Sequence, residues 1–162
     1  MSDDDRLAAL EARVAALEKK IQHAATPDPD TFWALEGLIE RVGDPGAVMI
    51  TGHAALPDGR VARWQEGAAV AELLDSDWSP HAAVLAALAH PARIGLLARV
   101  LQGACTAQEL VRIDGMGTSG QVYHHLRQLV AAGWLHTVGG GRYEVPVARV
   151  IPLLTTILGA RR

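Results

Sequence analysis

The sequence predicts an α+β protein, mainly α with small β, and three observations carry that prediction. Alanine and leucine dominate a chain that is 49% hydrophobic but only 4% aromatic, a composition that favours helices. Apolar residues recur at helical spacing over most of the 162 residues. Turn signals between short β-prone runs occur at two places, near residues 57–59 and 139–141. With 20% charged residues, the chain can bury the core of one ordinary domain and carry an appendage.

Residues 1–25 form the first expected element, a coiled-coil helix. Leu7, Leu10, Val14, Leu17 and Ile21 are spaced 3, 4, 3 and 4 apart, a seam of period 3.5. Aliphatic residues at a with Leu at d favour a parallel pair, in which Arg6 and Arg13 at g face Glu11 and Glu18 at e. The alternative is an amphipathic helix folded back on its own chain, because about two heptads are marginal alone. Pro27 and Pro29 end this helix.

Residues 30–75 form a second segment, expected as a helix plus a β-hairpin. Asp30 or Thr31 caps a helix with the apolar face Phe32, Leu35, Ile39 and Val42. Gly43-Asp44-Pro45-Gly46 stops it. Strands are expected at 47–51 and 60–64, turned near Pro57-Asp58-Gly59, then a short helix from Gly67 to Leu74. The segment would serve dimerisation or, with Trp33, Trp64 and Trp78, frame a ligand pocket; aromatics so spaced are more often core.

Residues 76–160 carry the most specific grammar. Ser79-Pro80 is an N-cap followed by proline at N1, and Val84, Leu85 and Leu88 share a helical face. His90-Pro91 marks a break, Ile94, Leu97 and Leu101 resume the stripe, and Gly103 closes it. Thr106 to Glu109 and Thr118 to Gln121 are capping boxes opening two helices, separated by a turn at Asp114-Gly115-Met116-Gly117. The second helix runs to about Ala132 and ends at Gly133; Trp134–Val138 and Arg142–Val145 then form a hairpin around Gly139-Gly140-Gly141. Helix, helix, turn, helix, hairpin is the winged helix-turn-helix order. The apolar segment Val147–Leu158, with Ile151, Leu154 and Leu158 among its apolar residues, is expected to kink or restart at Pro152 and to be buried against a partner subunit.

Net charge is −3, but it is unevenly placed: residues 1–75 hold 7 Lys/Arg against 14 Asp/Glu, and residues 76–162 hold 8 Arg against 4 Asp/Glu. The second half therefore carries +4, which permits phosphate attraction without requiring it. The single cysteine, Cys105, excludes an internal disulfide framework and fits a reducing compartment. No apolar run approaches the roughly 20 residues of a membrane span, and the acidic N-terminus lacks a signal-peptide layout. A cytoplasmic protein with no membrane partner is expected.

On the helix 119–132, Val122, Leu126, Leu129 and Val130 fall on one side, while Gly120, Gln121, His124, Arg127 and Gln128 fall on the other. Glutamine can pair with adenine and arginine with guanine in the major groove, and Ser119 sits where helix amides favour a phosphate. Thr118 stands beside it, Tyr123 either packs at the edge or meets a phosphate, and His125 is assigned to packing or a phosphate. Arg142 beside the glycine tip can enter the minor groove or meet a phosphate; the plainer alternative is a flexible hairpin. The candidate DNA contacts are thus Thr118, Ser119, Gly120, Gln121, Tyr123, His124, Arg127, Gln128 and Arg142.

Leu85-Ala86-Ala87-Leu88-Ala89-His90-Pro91-Ala92-Arg93-Ile94-Gly95-Leu96-Leu97 resembles the opening helix of ArsR-type bacterial repressors. His125-Leu126-Arg127-Gln128-Leu129-Val130-Ala131-Ala132-Gly133-Trp134-Leu135 is similar to the end of their recognition helix. The resemblance covers about residues 79–158 and implies a cytoplasmic, homodimeric transcriptional regulator that binds duplex DNA and often responds to an effector. Metal-sensing members carry Cys-x-Cys near the helix that here reads Glu109-Leu110-Val111-Arg112-Ile113-Asp114, or Asp, His and Glu on the last helix; both sets are missing here. No metal and no cofactor are expected.

Two other functions compete. An enzyme is disfavoured because His124-His125 are poorly placed for shared metal ligation and no nucleophile–base set surrounds Cys105. A winged-helix protein-interaction module assembled through the coiled coil is the stronger alternative, given the modest positive charge.

Overall fold

A computed structural model describes residues 7, 10–15, 17, 31–104, 106–112 and 117–161, which fall into two units, Met1–Gly46 and Ala47–Arg162. The division runs inside the segment 30–75: its helix belongs to the first unit and its hairpin to the second. Among the described residues no single helix is long and apolar enough to cross a membrane.

In the first unit, Leu7, residues 10–15 and Leu17 are helical (α1), and the seam residues Leu7, Leu10, Val14 and Leu17 are exposed. Ile21, Arg6 and Glu18 lie outside the described residues. The second helix, α2 (Trp33–Ile39), begins after Phe32, not after Asp30 or Thr31, and has no side-chain cap. Phe32, Leu35 and Ile39 are exposed and Val42 is half-buried, so the expected apolar face is largely open.

The second unit is α+β and holds a continuous core. Its first hairpin pairs β1 (Ala47–Ala55) with β2 (Val61–Ala69), antiparallel, from Ala47 opposite Ala69 to Ala55 opposite Val61. Both strands outrun the expected ones because one face lies on a helix near the C-terminus. Ala62 is buried there, Ile50, Ala54 and Trp64 are partly buried against the core, and Gly52 meets Ile151. The longer β2 delays the helix expected from Gly67, and α3 spans Val70–Asp75.

The five-residue loop between the strands is held by Arg60. Its guanidinium lies 2.7 Å from Asp58 and 3.0 Å from Glu144, and its Nη1 donates to the Val145 carbonyl at 3.1 Å. The Arg60 side-chain bond keeps the Asp58 carboxyl below the usual carboxylate range.

Beyond α3, the Ser76 hydroxyl and the Trp78 indole N–H both donate to the Leu73 carbonyl, satisfying a helix end. The cap expected of Ser79 is supplied by Asp77, whose carboxylate accepts from the Ser79 amide. That bond lowers the Asp77 pKa. A 3-10 turn (Ser79–His81) leads into α4 (Ala82–Ala86), and the chain bends by 75° before α5 (Pro91–Leu101). His90 caps α5, its Nδ1 accepting from the Ala92 amide at 3.1 Å, and Pro91 occupies the first turn, where no donor is lost. The bend splits the expected apolar face: Leu88 is buried and Leu85 is exposed.

The remaining elements are α6 (Ala107–Val111), α7 (Ser119–Ala131), the hairpin β3 (His136–Val138) with β4 (Arg142–Glu144), and α8 (Val147–Gly159). Gly103 and Gly133 adopt positive φ after α5 and α7, so that Ala104 and Trp134 amides return to the Arg99 and Leu129 carbonyls. Leu96, Leu97, Leu110, Val122, Leu126, Leu129, Leu135, Val145 and Val150 are essentially inaccessible, and each such side chain contributes about 1.5–3 kcal/mol of burial. Pro152 lies inside one continuous α8, with no restart. Thr106 also bridges Arg142, adding a third strand-like segment to the second hairpin.

Candidate nucleic-acid interface

The site is built around α7, which is opened by a complete capping box. The Gln121 amide donates to the Thr118 hydroxyl at 3.3 Å, and the Thr118 amide donates to Gln121 Oε1 at 2.8 Å. Gly117 at φ +88° precedes the box, and a Cβ there would collide with the Gln121 side-chain oxygen. The apolar face of α7 is anchored: Val122, Leu126 and Leu129 are buried and Val130 is partly buried. The outward face presents Thr118, Ser119, Gly120, Gln121, Tyr123, His124 and Arg127 to solvent, with no carboxylate in the helix.

Two of the expected base-reading residues are committed within the chain. Gln121 gives its carbonyl oxygen to the capping box, so its amide cannot pair bidentately with adenine while the cap stands. Gln128 is half-buried, and its Oε1 accepts from Arg93 Nη1. The same guanidinium donates to the Ala87 carbonyl at 2.6 Å and the Ala86 carbonyl at 2.9 Å. Arg93 therefore ties the end of α4 to the last turn of α7. Nothing local to Gln128 signals this role, since Arg93 lies 35 residues away.

His125 is half-buried and packs against His90, with ring centroids 4.5 Å apart; His124 is 5.7 Å away. Its Nδ1 is buried without a hydrogen-bond partner among the described residues. Burial, then the neighbouring His90, Arg93 and His124 charges, pushes its pKa below the ordinary 6.5. Of the two roles expected for His125, packing is the one this geometry serves. Among the described residues no group of three or more His, Cys, Asp or Glu could hold a metal ion. Cys105 and Ile113 to Met116 lie outside the described residues.

The second hairpin places Arg142 on the surface next to Gly140 and Gly141, both at positive φ. Arg127, Arg142 and Arg112 are exposed and make no ion pair among the described residues.

The residues expected at a dimer contact separate on α8. Ile151 is buried within its own chain by Gly52 and so belongs to the intrachain core. Leu154 and Leu158 are exposed, and Leu154 lines an apolar groove of about 240 Å³ between α5 and α8 with Ile94, Leu101 and Ile157. Comparison with protein-family models, curated proteins and solved structures gave no match for this chain.

Proposed function

We propose that residues 79–158 form a winged helix-turn-helix and that the protein is a homodimeric, cytoplasmic regulator of transcription, a repressor, that inserts α7 in the major groove of duplex DNA. The observation that carries this reading is α7 itself. It is a capped 13-residue helix, locked by its apolar face and offering an outward face with Arg127, His124, Ser119 and no acid. The order α5, α6, α7, β3, β4 and the exposed Arg142 beside the hairpin tip support it. Within this reading Arg127 and His124 are the base-edge residues, Ser119 and Gly120 approach a phosphate with the helix N-terminus, and Tyr123 flanks them. Gln121 and Gln128 hold the helix in shape.

The test is binding of the full chain to genomic DNA fragments across a salt series. The expected result is selective enrichment of a palindrome, with log affinity falling by about 0.9 per neutralised phosphate against log salt. Failure to bind any fragment at low salt sinks the regulator reading and leaves the protein-interaction module.

A further inference from the structure

A second feature of the Ala47–Arg162 unit is an open cleft of about 480 Å³ where α3, the 3-10 turn and α4 face Trp134 and α8. That volume is within the usual range for small-molecule sites, about 300–1,000 Å³. Its walls are unusual for bare surface. Trp78 is 62% exposed and Leu85 54%, although both are large apolar groups. Each indole N–H is already satisfied, Trp78 by the Leu73 carbonyl and Trp134 by the Val84 carbonyl at 2.9 Å. Both rings are therefore fixed in place with their polar edge spent; Trp134 is buried, and the exposed Trp78 leaves apolar surface for an occupant. Arg149 supplies the charge. Its guanidinium stands 5.2 Å from the centre of the Trp134 ring and has no carboxylate partner among the described residues. His81 and Thr156 add polar atoms to the lining.

We propose that this cleft binds a small monocarboxylate with an apolar body, its carboxylate on Arg149 and its body against Trp78 and Leu85. The Arg149 guanidinium selects the anion, because a planar fork of donors matches a carboxylate bidentately. The fixed tryptophan selects a flat or branched hydrocarbon. Resting on the regulator reading, this is also an effector site. Trp134 lies in the lining behind Arg149, and its amide donates to the Leu129 carbonyl at the end of α7, so an occupant that holds Arg149 bears on the residue next to the end of α7.

Titration of the full chain with 2-naphthoate, and with 2-naphthalenemethanol as its neutral isostere, tests the assignment by tryptophan fluorescence and calorimetry. The expected result is saturable binding of one 2-naphthoate per chain, at least tenfold tighter than the alcohol. Arg149→Gln should abolish that preference, and Trp78→Ala, at an exposed position, should weaken both probes about tenfold while the protein stays folded by circular dichroism. No saturable binding, or an undiminished carboxylate preference in a folded Arg149→Gln protein, overturns the proposal. Conversion of dimer to monomer by Trp78→Ala also overturns it, because a second copy would then be the occupant. In the DNA assay, 2-naphthoate should change affinity at least threefold; binding of the probe with unchanged DNA affinity overturns the effector role. A chain that binds 2-naphthoate but no DNA fails the regulator reading alone, and the carboxylate site stands.

Discussion

Replacing Gly52 by alanine tests the seat of the first hairpin on α8. The backbone at Gly52 is ordinary extended strand, outside the left-handed region. By conformation alone alanine would therefore gain about 0.4–1 kcal/mol from a less flexible unfolded chain. Packing reverses the sign. A Cβ would stand 2.6 Å from Ile151 Cγ2, 3.0 Å from Cδ1 and 3.3 Å from Cγ1. Comfortable carbon contact is about 3.5–4.0 Å, so hairpin and helix must part by roughly 1 Å. Ile151 cannot rotate aside, because a β-branched side chain in a helix has essentially one χ1 setting and this one is buried. Overpacking of this kind costs about 1–3 kcal/mol, leaving a net loss of roughly 0.5–2 kcal/mol. Ile151→Ala removes all three clashing atoms at its own cost of about 2–5 kcal/mol. In that background Gly52→Ala should become neutral or stabilising, a coupling of about 1–3 kcal/mol. Urea unfolding of the four proteins, followed by tryptophan fluorescence and circular dichroism, gives the cycle. A single Gly52→Ala protein as stable as the parent, or two changes that simply add, would refute the close approach.

Three further outcomes bear on α7. Arg127→Ala should leave folding stability within about 0.5 kcal/mol, since the side chain is exposed, yet cost about 1–3 kcal/mol on a specific DNA site; an unchanged binding profile removes Arg127 from the reading edge. Gln128→Ala should do the reverse, losing about 1.5–3 kcal/mol of stability with the charge-assisted Arg93 bond while leaving base preference intact, as measured by melting and by site selection. For pH, His125 has a folded pKa below its ordinary 6.5, so the unfolded chain binds its proton more readily and stability rises with pH. The contribution is complete above about 6.5 and is lost as pH falls through that value toward the lower folded pKa. Urea midpoints at pH 8 and pH 5.5 should therefore differ more for the parent than for His125→Phe, and equal differences would dismiss His125 as the cause.

Features set by neighbours three or four residues away were readable in the chain. Thr118 with Gln121 and Thr106 with Glu109 form their boxes as the spacing implies, and the buried set Val122, Leu126 and Leu129 follows from a period of 3.6. Features decided by distant partners were not. Gln128 looks free on a helical wheel, and only the arrival of Arg93 from α5 removes it from the outward face. Ile151 sits in an apolar stripe that suits a subunit contact, but Gly52 brings a strand onto it first. Gly52 falls one position past the expected strand, and becomes a sign of such an approach only once β1 extends through it. Leu85 and Leu88 seemed to share a face because the 75° bend at His90-Pro91 was legible as a break but not as an angle.

Arg60 has a consequence for how the molecule opens. One guanidinium reaches the tip of the β1–β2 loop at Asp58 and the foot of the β3–β4 ribbon at Glu144 and Val145, 85 positions along the chain. It acts as a reversible staple, closing a long loop without a covalent bond. Such a link joins two hairpins that share no strand pairing into one opening unit. Amide protection at Leu56 and Gly59 should then rise and fall with protection around Tyr143, and Arg60→Ala should split them. A disturbance at the first hairpin would thereby be felt at the ribbon carrying Arg142, by traction and not by contact.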